Sequence, residues 1–299
     1  MIERMSSGQM SRTYLSDLRG IYSRLADAQQ QITTGRTMLK PSDDPVGISI
    51  ALGLRRDQAA TDAWSRNIDD SLTWLDTTDR ALGQALEVVQ QAAEMAVQGG
   101  NGALPTDARA LIANAIRGLK GQFAEVGNST LGGRHLFAGT GTDTAPFDST
   151  TGALNLPVNT ELLTREIAQG SLVSINTTAD RLAGPGGATP DIFTVLDGLA
   201  NAVQSGNSAG IGTAMADLDA HMVNINALRG EVGAKVNRLE LTADRFASQR
   251  VATAEQQGNL EGADIAKAMI SFTERQNVYS AALAVGARIS QQSLMDFLR

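Results

Sequence analysis

The chain has 299 residues, a formal net charge of −7, no cysteine, 42% hydrophobic residues and only 4% aromatic ones. The missing cysteines exclude disulfides, thiol catalysis and Cys-bound metal, and the acidic balance argues against nucleic acid as a partner. A core this poor in rings must be filled by Ala, Leu, Ile and Val, which suits long packed helices. No run approaches the ~18 apolar residues that a membrane helix needs, so no membrane partner is expected.

Residues 1–10 (MIERMSSGQM) are polar and small, with no period, and are expected to form a mobile end. They lack the basic region and apolar core of a cleavable secretory signal, so an exported protein with this start needs another route. Leu15, Leu18, Tyr22, Leu25 and Ile32 then make a heptad-like seam, which Gly35 is placed to end. Residues 40–45 read KPSDDP, and two prolines there cannot continue a helix. Ser42, Asp43 or Asp44 can cap the next helix, with Pro45 in its first turn. A divalent cation between Asp43 and Asp44 is the sharper alternative, but no further oxygen ligands follow at fixed spacing.

From Val46 to about Gln98 the pattern predicts one helix. Its seam is Ile68, Leu72, Leu75, Leu82, Leu86, Val89, Ala93 and Ala96, with Asp79 at the skipped step. Such a helix would be roughly 80 Å long at 1.5 Å per residue, which points to a rod. Trp64 and Trp74 read as packing residues. Gly99-Gly100-Asn101-Gly102 breaks the helix. Thr106 or Asp107 can cap the next one, where Ile112, Ile116, Leu119, Phe123 and Val126 repeat at helical spacing.

Residues 128–188 are rich in Gly, Thr, Ser and Asn, with short apolar runs at 135–138 and 172–175, and predict short strands and turns. Residues 184–187 (GPGG) read as a turn or linker and not as a phosphate loop, since no Lys and Ser/Thr pair follows. Helical pattern resumes near Pro190 with Ile192, Val195, Leu196 and Leu199, and breaks at 205–210. A long seam follows: Ile211, Met215, Leu218, Met222, Ile225, Val232, Val236, Leu239 and Phe246, with Arg229 and Ala243 at the remaining steps. Residues 247–258 are polar, and a helix restarts at Ala263-Asp264. In the last forty residues Ile265, Met269, Phe272, Tyr279 and Leu283 form one apolar row, and Val278, Ala282, Val285 and Ile289 a second beside it. Together these side chains imply on the order of 1,000 Å² of apolar surface needing cover, more than a lone soluble molecule usually exposes.

The fold class expected is mainly α: an elongated antiparallel helical bundle formed by both chain ends, with a small β-containing middle domain. The segments are an N-terminal assembly helix (1–40), rod helices (41–130), a β-rich middle (131–189), rod helices (190–255) and a C-terminal assembly helix (256–299). The assembly interface is expected on Leu15, Leu18, Tyr22, Leu25, Ile32, Ile265, Met269, Phe272, Tyr279, Leu283, Ile289, Leu294, Phe297 and Leu298. His221 reads as a helix-surface histidine, and His135 has no Ser or Asp at a motif spacing that would make it a base. With no HExxH, CxxC, P-loop or GxSxG, neither an enzyme nor a cofactor is expected.

Several stretches together carry a resemblance. They are Gln30-Ile32-Thr34-Gly35-Arg36, then Pro41-Ser42-Asp43-Asp44-Pro45, then Asn101-Gly102 with Asp107 and Arg109. Gly133-Arg134-His135-Leu136-Phe137-Ala138-Gly139 follows, with Thr144-Ala145-Pro146-Phe147. Near the other end stand Gly233-Ala234-Lys235 with Asn237-Arg238-Leu239-Glu240, then Asp264-Ile265-Ala266, and the closing Ser293-Leu294-Met295-Asp296-Phe297-Leu298. The chain resembles the bacterial flagellin superfamily over about residues 10–140 and 210–299, most closely its hook–filament junction branch. Bulk flagellin is the rival within the family. Pro45, the Gly-Arg-His-Leu-Phe-Ala-Gly run, and Gln91 and Ala93 where flagellins commonly carry arginines all argue against it. The resemblance implies an extracellular flagellar protein, exported through the flagellar type III channel. It implies ends that order on assembly into an inner tube. The partners implied are further copies of itself, hook-associated protein 1, flagellin and a flagellar export chaperone that holds the C-terminal segment.

Overall fold

A computed structural model describes residues 7–38, 40–148, 151–155, 159–184 and 189–297. Residues 1–6 of the expected mobile end and 185–187 of the GPGG turn lie outside the described residues. Among those described, seven helices and four short strands follow one another. They are α1 (Ser7–Thr34), α2 (Pro45–Gly99), α3 (Thr106–Gly127), β1 (Thr130–Leu131), β2 (Arg134–His135), β3 (Thr164–Ala168), β4 (Ser171–Ser174), α4 (Ala179–Ala183), α5 (Ile192–Ser205), α6 (Ser208–Glu261) and α7 (Ile265–Phe297). The protein is mainly α: its terminal helices α1 and α7 pack together, and two small two-stranded sheets lie in the middle of the chain. The chain forms two compact units, Met1–Ala59 with Gln249–Arg299, and Ala60–Ser248.

The larger unit holds the core of large side chains. Ile68, Leu75, Leu82, Val89 and Ala96, seven apart on α2, are fully buried. Along α6, Leu218, Ile225, Val232, Leu239 and Phe246 repeat the same heptad and are buried too. The polar interruptions of the two seams meet: Arg229 donates from Nε to Asp79 Oδ1 at 2.9 Å and from Nη2 to Oδ2 at 3.0 Å. Each seam skips an apolar residue at its own step, so only a register that aligns the skipped steps pairs the charges. Trp64 stacks on Phe246, and Trp74 is buried with Arg134 over its ring, so both tryptophans pack as expected.

Helix α3 packs on α5. The Phe123 and Phe193 rings meet edge to face at 5.5 Å, with Phe147 at 5.3 Å from Phe193. Asn128 ties the chain down beside them: its amide donates to the Phe147 carbonyl and accepts from the Phe147 N–H. Gly127 lies against the Phe147 ring, which leaves no room for a Cβ. The hairpin β1–β2 turns at Gly132-Gly133, both with positive φ, as its tight turn requires. Strands β3 and β4 pair antiparallel, with an irregularity between Glu166 and Ala168.

Two local expectations differ from the structure. Helix α3 starts at Thr106 behind Pro105, and neither Thr106 nor Asp107 caps it. His221 is not on the helix surface but fully buried. The polar stretch 247–258 belongs to α6, which continues to Glu261, and the helix restart expected at Ala263-Asp264 is α7. A double-mutant cycle on Asp79→Ala and Arg229→Ala should give a coupling of about 1 kcal/mol in urea unfolding, shrinking at high salt because the side chains are 38% and 39% exposed.

Candidate assembly surface

In the unit formed by the chain ends, the local sequence first sets two sharp connections. Gly35 takes φ +65° and closes α1 as a left-handed residue. Across the next connection Asp44 accepts from the N–H groups of Val46 and Gly47, which caps α2. Asp43 accepts from the Lys40 N–H, and Lys40 pairs with Asp27 of α1. Both carboxylates expected at this connector thus serve backbone N–H groups. At the far end, Asp264 Oδ1 accepts from the Lys267 N–H and starts α7.

The α1–α2 and α6–α7 connections are joined to each other. Thr37 donates to the Glu261 carbonyl from its N–H at 2.7 Å, and Ala263 N–H donates to the Gly35 carbonyl at 2.9 Å. The Glu261 side chain is 5% exposed and lies between two guanidinium groups. Arg55 Nη2 stands 2.8 Å from both carboxylate oxygens, and Arg36 Nε 3.2 Å from Oε2. A buried carboxylate is tolerated only with such partners. Sequence reasoning missed Glu261 and Arg55; a lone acid followed by Gly262 gives no periodic signal.

Helix α7 then packs along α1 through small residues and polar anchors. The Tyr14 hydroxyl donates to the Ala282 carbonyl at 2.7 Å, and Arg275 donates to the Arg24 carbonyl at 2.6 Å. The Tyr14 ring occupies the space that any side chain at Gly286 would need. Tyr22 and Tyr279 rings meet at 5.8 Å. Among the described residues, the buried apolar side chains of this unit are Ala28, Ala51 and Ala268.

The expected interface residues divide accordingly. Leu18, Leu25 and Ile32, seven apart on α1, are half-buried, and so are Phe272 and Tyr279 on α7. Leu15 (50%) and Tyr22 (59%) stay exposed on α1, and Ile265 (43%), Met269 (57%) and Leu283 (45%) on α7. The two α7 rows of the sequence are therefore not one covered face. Close approach of α1 selects Ala268, Ala282 and Gly286, and turns the aliphatic residues outward, with Ile270, Val278 and Val285 beside them. Leu298 lies outside the described residues, as do the side chains of Ile289, Leu294 and Phe297. On α2, Val46, Ile50 and Leu52 add to the exposed apolar surface. Polar groups fix the pair, and large apolar groups face water.

Residues 5–142 match the bacterial flagellin N-terminal helical region, and residues 215–298 match the bacterial flagellin C-terminal helical region. The chain belongs to the bacterial flagellin family. Flagellar hook-associated protein 3 of Escherichia coli is 27% identical over 293 residues, covering 90% of this chain and 92% of that protein. The protein of the same name from Salmonella typhimurium is 26% identical over 322 residues, covering 99% of this chain and 100% of its own. Among solved structures, a flagellar hook-associated protein of Vibrio parahaemolyticus shares the fold, with a TM-score of 0.68 at 23% identity over 74% of this chain and 100% of that one. The N-terminal match includes α1 and the C-terminal match α7, so the two matches together take in the terminal pair of this flagellin-family chain.

Two variants test the geometry. Glu261→Gln leaves two guanidinium groups without their shared charge. It should cost the terminal unit about 2 kcal/mol, half-exposure of the arginines keeping the loss below that of a sealed pair. Gly286→Leu should separate α1 from α7 at Tyr14. Amide exchange in both helices should then rise while exchange in Ala60–Ser248 stays as it was.

Proposed function

We propose that this chain is a structural subunit of the bacterial flagellum that builds the junction between hook and filament. The observation that carries the reading is the outward apolar surface of the paired ends, in a chain that matches hook-associated protein 3 from end to end. Burying one large aliphatic side chain contributes roughly 1.5–3 kcal/mol. A row of them repeated in every copy makes stacking of copies favourable where a single molecule gains little. Long-range order of that kind needs head-to-tail contacts, which extend instead of closing.

In this reading the assembly face comprises Leu15, Leu18, Tyr22, Leu25 and Ile32 on α1, and Ile265, Met269, Phe272, Tyr279, Leu283, Ile289, Leu294, Phe297 and Leu298 at the other end. Segments 1–40 and 256–299 carry assembly, 41–130 and 190–255 serve as rod helices, and 131–189 is a middle module. The neighbours are hook-associated protein 1 on one side and flagellin on the other. The chain reaches its extracellular place through the flagellar type III channel, held beforehand by an export chaperone at its C-terminal segment.

Leu283→Asp tests the face without disturbing the fold, because position 283 is 45% exposed in the single molecule. The variant should fold and melt within about 0.5 kcal/mol of the parent, as surface substitutions do. A strain carrying it should release unpolymerised flagellin into the medium and fail to swim. Normal swimming would remove position 283 from the interface. If the purified protein instead formed micrometre-long tubes unaided, the role would be that of bulk flagellin.

A further inference from the structure

The chain has two histidines, and one is sealed inside the unit with the large core. His221 lies on α6, and its Nε2 is 2.9 Å from the carbonyl oxygen of Pro190, the residue before the Asp191 cap of α5. A carbonyl only accepts, so Nε2 carries the proton and Nδ1 is the bare nitrogen. Nδ1 is buried as well, with no hydrogen-bond partner. A proton added there would bring a charge and a donor into a buried site where no protein acceptor meets it.

The charged side chains that act on the ring are Asp191, from α5, and Asp217, one turn earlier on α6. Both favour an imidazolium. Burial outweighs them and holds the imidazole below its ordinary range. Asp191 is also engaged elsewhere: its carboxylate accepts from the N–H groups of Phe193 and Thr194 and from the Thr194 hydroxyl. Turning it toward the ring would uncap α5.

We propose that His221 is an acid-sensitive latch, whose protonation at Nδ1 frees the start of α5 from α6. With the ring exposed, the imidazole takes its proton near pH 6.5, as a free histidine does; while covered, it resists to lower pH. The open form therefore binds the extra proton first. The latch is at full strength above about pH 6.5 and weakens as pH falls below it, by roughly tenfold in the opening equilibrium per pH unit until the covered ring titrates. Exposing the ring requires parting its bond to Pro190 and lifting the first turn of α5, with Ile192 and Phe193, off the core it shares with α6. Neither α1 nor α7 contains a histidine, so the assembly helices do not share this response.

Two measurements on the full chain test it. Imidazole nitrogen shifts follow only two rings, which a His135→Gln variant assigns. His221 should be in the Nε2–H form and should titrate clearly below about pH 6.5. In native amide exchange, corrected for the intrinsic rate, opening of the first turns of α5 should rise about tenfold between roughly pH 7.5 and 5.5. In His221→Gln, whose amide can donate to Pro190 and does not titrate, the rise should stay under about twofold. An equal rise in both proteins overturns the latch, as does an Nδ1–H tautomer or a ring titrating at or above its ordinary value. If the variant fails to fold, the ring titration of the unaltered chain decides.

Discussion

One buried carboxylate shared by two arginines holds the terminal unit together. Glu261 ends α6, Arg36 follows α1 and Arg55 stands on α2, so the three charges tie together both connections that lead to the terminal helices. The unit needs such a tie because its described buried apolar residues are alanines, which contribute little burial. Its other fixings are directional bonds to backbone carbonyls, from Tyr14 to Ala282 and from Arg275 to Arg24. Hydrogen bonds of this kind contribute modestly in net terms but specify geometry strictly. The terminal pair is thus defined in shape while its stability is small.

The contrast with the other unit is a division of labour. Residues Ala60–Ser248 bury Ile, Leu, Val and Phe in a continuous core and can be stable as a single molecule. The terminal unit turns Leu15, Tyr22, Met269, Leu283 and Val285 to water. In the proposed junction role, cover for these side chains comes from neighbouring copies, which would couple the order of the unit to association. For an assembling protein this coupling is useful: a subunit whose contact helices hold weakly alone and firmly in company does not polymerise on weak encounters.

Much of this was legible in the chain. Heptad spacing located α2 and α6, and the skipped steps at Asp79 and Arg229 already stood out as polar breaks in two apolar seams. That they answer each other needed three dimensions, because spacing within one helix does not give its alignment with another. The terminal helices show the limit more sharply. Periodicity showed that α1 and α7 are apolar on one side, yet it weights large residues, and the contact between them combines tyrosine rings with small residues. Gly286 and Ala282 carry little hydrophobic signal, and the Tyr14 ring that selects them lies near the opposite end of the sequence. His221 misled for a related reason. A polar residue beside a seam residue reads as surface until a loop such as Pro190 is seen to cover it. Glu261 was invisible because nothing local distinguishes a capped, paired acid from a solvated one.

The most direct measurement is the reactivity of Met269 toward peroxide, in the free protein and in isolated flagella. Thioether oxidation follows solvent exposure, and Met269 is 57% exposed on α7, while Met215 and Met222 are packed against the core of the other unit and serve as internal references. Met269 should oxidise readily in the free molecule and be strongly protected once the protein is built into the flagellum, with the two reference methionines unchanged. Equal reactivity of Met269 in both states would contradict it, since the outward face of the terminal pair would then not be what assembly covers.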